Sequence, residues 1–413
     1  MIGMPWPLPS DWRWAAFKDV ARVVSHLVDP ALYPDAPHVA PNHIEGGTGR
    51  LLPFRTIAAD GVKSPKHRFQ TGQVIYSKIR PYLAKVIVAD FDGLCSADMY
   101  PVATDLDPRF LKWWMLTPEF TRRAAGEQAR TVLPKINRRA LEKLPIPVPP
   151  QAVQRQIVDI LEDHLSRLGA ANDYINAARA RAELLTTSAL LADESMASSP
   201  RLTLREVLAE PLSNGRSVPT REGGFPVLRL TALQQERVDL NERKGGAWTL
   251  DEARPFLVQQ GDFLVARGNG SLRLVARGAL VQEKPDPVAY PDTLIRVRMD
   301  PKRTNPSFLS LVWNSPVVRR QVESMARTTA GIYKVNQKHL ETVVLPVPTL
   351  DEQAQICARV EHVRVAQRRL TEICTTSTIR SSALRRATLT AAFSGRLTGR
   401  ARDLEIVEEM AGV

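Results

Sequence analysis

Two pairs of side chains with complementary hydrogen-bonding chemistry recur at matching places in the chain, Lys135 with Asn137 and Lys334 with Asn336. A lysine ammonium can bond guanine O6 and N7 or hold a phosphate, and an asparagine amide can bond adenine N6 and N7. Each pair stands just before a Pro-rich stretch. A second role is therefore open to the asparagines, as caps of short helices that would end at Leu141 and Leu340. Lys78, Arg80, Arg267 and Asn269 lie in strand or hairpin contexts and are further candidate contacts to a nucleic acid. For the cations among them, as for Arg273, Arg296 and Arg298, a solvated surface position is the plainer alternative.

Other patterns imitate catalytic signatures. Asn305-Pro306-Ser307-Phe308 looks like the Asn-Pro-Pro-aromatic signature of adenine methyltransferases, and Pro285-Asp286 with Asp300-Pro301-Lys302 meets the loose spacing of a PD-(D/E)xK nuclease. The first aligns with Asp107-Pro108-Arg109-Phe110, so a shared turn before a helix explains both, and Gly268-Asn269-Gly270 lacks the third glycine of a cofactor loop. In the second, Pro301 separates two residues that would have to share a regular strand. His38, His43 and His67 are expected to be scattered in loops, with no H-E-x-x-H pair to hold zinc. Cys95 is expected to be a core thiol, and the chain to be non-catalytic.

The totals point the same way. In 413 residues, 56 Lys and Arg face 44 Asp and Glu, for a net charge of +12. That excess favours a polyanionic partner over a small neutral substrate. Three cysteines without a C-x-x-C pair argue against a disulfide framework or structural zinc and for a reducing compartment. No apolar run approaches the roughly 20 residues a bilayer span needs. A cytoplasmic protein with no membrane role is expected.

The elements that would position these side chains come twice. Residues 130–192 and 329–391 share one pattern: Leu133-Pro134-Lys135-Ile136-Asn137 returns as Ile332-Tyr333-Lys334-Val335-Asn336, and Pro147-Val148-Pro149 with Gln154 returns as Pro346-Val347-Pro348 with Gln353. The offset holds at 199 (336 − 137, 346 − 147), far longer than solenoid periods. Upstream, Gly72 to Lys78 matches Gly261 to Arg267. Short apolar runs between Gly, Pro and Asn read as strands joined by turns, followed by short helices. Each globular part ends in a Pro-rich stop that can continue neither a central strand nor a helix. Thr349-Leu350-Asp351-Glu352 is a capping box for the helix that follows; Pro150 takes that place in the first copy.

From Gln151 to Ala192, Ile157, Leu161, Leu168, Ala171, Ile175, Ala178, Ala182, Leu185 and Ala189 form a narrow apolar seam of coiled-coil type. From Leu350 to Phe393 the series Ile356, Val360, Val363, Leu370, Ile373, Leu384 and Ala391 is less regular. About 42 residues at 1.5 Å each give a rod on the order of 60 Å, which most simply packs on its twin. The expected division is a globular part over 1–150, a long helix over 151–192, a polar linker over 193–200, a second globular part over 201–348, a second long helix over 349–393, and a tail over 394–413 whose last residues, Arg402 to Val413, are acidic and expected to be solvated. The fold class is α+β: two similar domains of mixed strands and short helices, two long antiparallel helices, and a pseudo-twofold internal repeat.

In this arrangement the chain resembles the DNA-specificity subunit of type I restriction-modification systems. Leu345-Pro346-Val347-Pro348-Thr349-Leu350-Asp351-Glu352-Gln353 is close to that family's Pro-x-Pro-x-x-x-Glu-Gln junction, and Leu8-Pro9-Ser10-Asp11-Trp12 and Gly331 to Asn336 also look familial. The first junction departs, with Val153 where the family usually places Glu, and Val132 stands where the second copy has Gly331. The resemblance implies two target-recognition domains, each reading half of a split double-stranded DNA site, with the helical pair as the ruler between them. It implies two methyltransferase subunits as partners, and restriction motor-nuclease subunits beside them. S-adenosylmethionine, ATP and magnesium would then sit on those partners, and this chain would hold no cofactor or metal. Two other readings stay open: a scaffold that binds only proteins, and an enzyme that uses one of the weak motifs above.

Overall fold

The computed structural model describes residues 4–126, 134–234, 237–329, 331–397 and 403–412. The chain divides into two compact units, Met1–Ala177 with Cys374–Val413, and Ala178–Ile373. Val132 and Leu133, part of the repeat noted above, lie outside the described residues.

In the first unit a four-stranded antiparallel sheet runs in the order Ala21–Val23, Met99–Thr104, Val74–Ser77, Val86–Val88. Val74-Ile75-Tyr76-Ser77 is buried throughout, as a strand covered on both faces is, and the buried Ser77 hydroxyl donates to the Ile79 carbonyl at 3.1 Å. Helix Pro108–Met115 packs nearby, opened by Asp107, which accepts the Arg109 N–H, and by proline in its first turn. Pro145–Val148 pairs with Arg13–Ala16 in a two-stranded ribbon. The prolines are tolerated there because the ribbon has only edges. A separate five-stranded sheet, in the order Leu27–Val28, Lys66–Phe69, Gly93–Cys95, Pro37–Val39, Arg55–Thr56, completes this unit.

The second unit repeats the frame. Ser213–Asn214, Leu294–Val297, Phe263–Ala266 and Gly278–Leu280 form the matching four-stranded sheet, and Arg201–Thr203 pairs with Val344–Pro346 as the matching ribbon. Helix Pro306–Trp313 is capped by Asn305 as its counterpart is by Asp107. A Cβ on Gly278 would lie 2.2 Å from the Phe263 ring, so glycine is what lets these strands meet. In place of the five-stranded sheet stands the antiparallel pair Thr220–Leu228 and Arg243–Gly246. The chain is thus α+β with an internal repeat, and the two units differ in what is added to a common core.

The two long helices span Gln151–Leu191 and Leu350–Phe393. In the first unit, Ile157, Val158, Leu161 and Leu165 share a core with Ala387, Leu389, Ala391 and Phe393. In the second, Leu190 shares a core with Ile356 and Val360, and the Thr186 hydroxyl donates to Gln367 Oε1 at 2.5 Å. The start of one helix therefore meets the end of the other, and the pairing is antiparallel.

The seam differs in part from the expected one. Leu370 and Ile373 are exposed, as are Ala171, Ala178 and Leu185. The second helix instead turns inward Val360, Cys374, Ser381 and Thr388, with Gln367 half-buried in the same series. These recur every seven residues, the period that keeps a stripe on one side of a helix pair, and small or polar members hid them from a search for apolar residues.

Two further expectations are corrected. The acidic tail is not simply solvated: Asp403–Ala411 is helical, and Val407 is buried in the first unit's core. Within the polar linker, Glu194–Ser198 is a short helix capped by Asp193, with Met196 buried in the second unit's core. Apolar side chains supply the anchors: Val407, with Met410 and Ala411 against the same core, in the tail, and Met196 in the linker.

Candidate nucleic-acid interface

Each unit brings its two cation-bearing segments together by the same backbone latch. In the first, the Lys78 N–H donates to Asp98 C=O at 3.0 Å, the Lys78 carbonyl accepts from the Ile136 N–H at 2.9 Å, and the Arg80 N–H donates to Pro134 C=O at 2.8 Å. Ile79 therefore faces Lys135 across a short bridge. In the second, the Arg267 N–H donates to Thr293 C=O at 2.9 Å, the Arg267 carbonyl accepts from Val335 N–H at 3.0 Å, and Gly268 pairs with Lys334. Lys78, Arg80 and Lys135 form one group, and Arg267, Asn269 and Lys334 form its counterpart.

Charge and exposure differ between the groups. Lys135 is exposed and its Nζ lies 3.1 Å from Asp98 Oδ1. Lys78 places its Nζ 5.1 Å from the centroid of Tyr100, a cation–π contact. Burial pulls the Lys78 ammonium below the usual lysine range; Asp98 opposes that shift and Lys135 adds to it. In the second unit Thr293 occupies the place of Asp98. Arg267 and Lys334 are exposed, and no ion pair is shown for either among the described residues. Arg327 stands directly across from Lys334 in the three-stranded sheet Gly268–Asn269, Ile332–Lys334, Arg327–Thr329, which gathers a further cation.

The asparagines are caps. Asn137 Oδ1 accepts the Ala140 N–H at 2.9 Å and Asn336 Oδ1 accepts the His339 N–H at 2.8 Å. Asn269 Oδ1 accepts the Ser271 N–H at 2.9 Å in a local turn. A two-point contact to adenine needs both amide atoms in one plane. With the oxygen aimed at the backbone, these three side chains are committed to holding the loops.

Arg296 and Arg298, expected as solvated surface, are instead half-buried and engaged by partners. Arg298 donates from Nε to Asp262 Oδ1 at 2.7 Å and from Nη1 to Glu210 at 3.0 Å. Arg296 lies 5.5 Å from the Tyr290 ring centroid and donates to the Pro255 and Leu257 carbonyls. Asp262 is almost wholly buried, and a buried carboxylate requires such partners.

Sequence reasoning missed Asp98, Tyr100 and Arg327. Strand register brings them to the site, and only the unbroken run before Lys78 hinted at that strand.

The catalytic look-alikes resolve into structure. Asn305 Oδ1 accepts Ser307 N–H and Asp300 Oδ1 accepts Lys302 N–H, both turn devices. His38 and His67 are in strands rather than loops, and both are buried. His38 Nδ1 lies 2.7 Å from Asp60 Oδ2, and this hydrogen bond holds the Asp60 carboxyl below the usual range. Burial pushes the Cys95 thiol up to about 12, which suppresses the reactive thiolate. Among the described residues no group of three or more His, Cys, Asp or Glu could hold a metal ion, and no helix is long and apolar enough to cross a membrane.

Comparison with known proteins points to one family. Residues 11–176 match the model of the type I restriction modification DNA specificity domain. The type I restriction enzyme EcoDI specificity subunit of Escherichia coli is 49% identical over 183 residues, 44% of this chain and 41% of that protein. The EcoKI specificity subunit of Escherichia coli strain K12 is 29% identical over 204 residues, 49% of this chain and 44% of that one. The chain thus spans less than half the length of these curated relatives.

Among solved structures, a chain from a type I R-M system superposes with a TM-score of 0.73 at 21% identity, covering 95% of this chain and all (100%) of its own. The HsdS subunit from Thermoanaerobacter tengcongensis gives 0.53 at 20% identity, covering 96% of this chain and 100% of its own. At these identities the likeness is one of fold.

Proposed function

We propose that this chain, whose residues 11–176 match the model of the type I restriction modification DNA specificity domain, is a non-catalytic subunit that reads a two-part duplex DNA site, one part for each unit. The observation that carries the reading is the duplicated latch, which holds Lys135 beside Lys78 and Arg80 in one unit and Lys334 beside Arg267 in the other. Cations held on rigid backbone bind phosphates first and can reach base edges from a fixed register. The net charge of +12 supports a polyanionic partner.

On this reading two methyltransferase subunits dock on the chain, and restriction subunits join them. S-adenosylmethionine, ATP and magnesium belong to those partners, and a cytoplasmic location follows from work on the host's own DNA. A specificity subunit supplies the address and its partners the chemistry.

The test is the affinity of the full chain for duplex DNA against salt. Binding should fall by orders of magnitude between roughly 50 and 200 mM salt, as several phosphate contacts require. A chain indifferent to DNA at low salt would refute the proposal and favour a protein-binding scaffold.

A further inference from the structure

Beside each cation group lies a short turn bounded by backbone in the left-handed region and carrying an exposed apolar tip. Among the described residues three non-glycine positions have positive φ, Arg80 (45°), Ala84 (45°) and Ala276 (52°). All three bound these two loops. Side chains with a Cβ seldom adopt this conformation, and it clusters where surrounding structure imposes it for a purpose.

In the first unit, Arg80 and Ala84 frame Pro81-Tyr82-Leu83. Tyr82 is 52% exposed and Leu83 37% exposed. The loop does not hang free: the Arg80 N–H is tied to Pro134 C=O, the Ala84 N–H to Pro81 C=O, and the Ala84 carbonyl accepts from the Gly47 N–H at 3.0 Å. In the second unit, Ala276 closes the loop that follows Arg267, and Leu274 at its tip is 39% exposed. There Arg319, itself mostly buried, donates to the carbonyls of Val275 at 2.7 Å, Leu272 at 3.1 Å and Arg273 at 3.3 Å. A guanidinium used on three loop carbonyls fixes the loop before any partner arrives.

A single exposed apolar side chain is ordinary on a protein surface; Tyr82 and Leu274 differ in standing on turns fixed by strained backbone and flanked by cations. Here the neighbours are Arg80, Lys78 and Lys135 in one unit, and Arg267, Arg273 and Arg277 around the other loop. Cations beside an aromatic or aliphatic tip are the composition of a wedge that enters a base step while the charges hold the flanking phosphates.

We infer that Tyr82 in the first unit and Leu274 in the second insert between base pairs of the bound duplex, each unstacking a step within its own part of the site. The inference rests on the DNA-reading proposal above. Tyr82 supplies a ring face, and insertion requires no reaction and no cofactor.

The experiment uses the full chain and a duplex that the wild-type chain has selected from a random library, with 2-aminopurine placed successively along it. Wild-type binding should raise the fluorescence of the probe at one step in each part of the site. Tyr82→Ala should abolish the rise in one part and weaken binding roughly tenfold, without changing the slope of affinity against salt. Tyr82→Phe should stay within about twofold of wild type, because the ring and not the hydroxyl stacks. Leu274→Ala should abolish the rise in the other part only. Thermal unfolding of each variant confirms folding, and Tyr82→Phe and Leu274→Ala keep the test decisive if Tyr82→Ala fails to fold. Normal salt-dependent binding with no fluorescence rise, or equal losses in Tyr82→Phe and Tyr82→Ala, would overturn the wedge and leave the reading of DNA standing. A wild-type chain that binds no duplex would overturn both.

Discussion

Gln353 Oε1 accepts the backbone N–H of Asn305 at 2.8 Å, while its Nε2 donates to the carbonyls of Pro348 at 2.8 Å and Arg303 at 2.9 Å. Gln154 repeats this in the other unit, accepting from the Asp107 N–H and donating to the Pro149 carbonyl, both at 3.0 Å. One buried glutamine in the first turn of each long helix thus fastens the helix to the cap of a helix in its unit and to the Pro-rich turn. Gln353→Met keeps the volume but leaves those backbone groups without partners. It should cost about 2–4 kcal/mol, read as a lower denaturant midpoint with the half-site preference of the surviving protein unchanged.

The Asp98–Lys135 pair partly neutralises the first unit's cation group, whereas Thr293 stands in that place in the second unit and no ion pair is shown for Arg267 or Lys334 among the described residues. Asp98→Asn should raise affinity for non-cognate duplex and steepen the dependence of log affinity on log salt by up to about one. Lys135→Ala should do the reverse. Titrations with a labelled duplex at several salt concentrations decide it, and equal slopes for all three proteins would remove Lys135 from the phosphate contacts.

Lys112 places its Nζ 3.9 Å from the Trp113 ring centroid, and burial pushes its pKa down to about 8, with Glu162 opposing and Arg109 and Arg385 reinforcing. The unfolded chain binds this proton up to about pH 10.4. Below pH 8 the folded state therefore carries the full cost of a buried charge, and between pH 8 and about 10.4 that cost is relieved as pH rises. Lys112→Met removes the titration. Its stability minus that of wild type should fall across this window, by on the order of 3 kcal/mol, in denaturant melts. A constant difference would mean that Lys112 titrates as an ordinary exposed lysine.

The repeat was legible because hydrogen-bonding demands fix local text: Lys135-Ile136-Asn137 and Lys334-Val335-Asn336 hold the same latch and the same cap, so their residue types hardly differ. The junction glutamines were visible for the same reason. What could not be read is whatever depends on register between distant strands. Asp98 reaches Lys135 only because Met99–Thr104 pairs with Val74–Ser77, and no spacing in the chain announces that.

The inner stripe of the second long helix was hidden because Cys374, Ser381 and Thr388 do not look apolar. The left-handed residues were hidden too, since two are alanines, which carry no sign of positive φ. The engagement of Arg298 was hidden as well, because a buried acid such as Asp262 recruits a cation inward and no spacing in the chain announces it.

The central claim is that one chain carries two independent readers. It is tested most directly by replacing residues 13–140 with the corresponding segment of a relative that recognises a different site, and mapping any adenines methylated in the host genome when the chimera is expressed with the methyltransferase subunits proposed as its partners. One part of the recognised sequence should change to that of the donor while the other part stays as in the parent. A chimera that methylates a sequence altered in both parts, or the parental sequence unchanged, would contradict it.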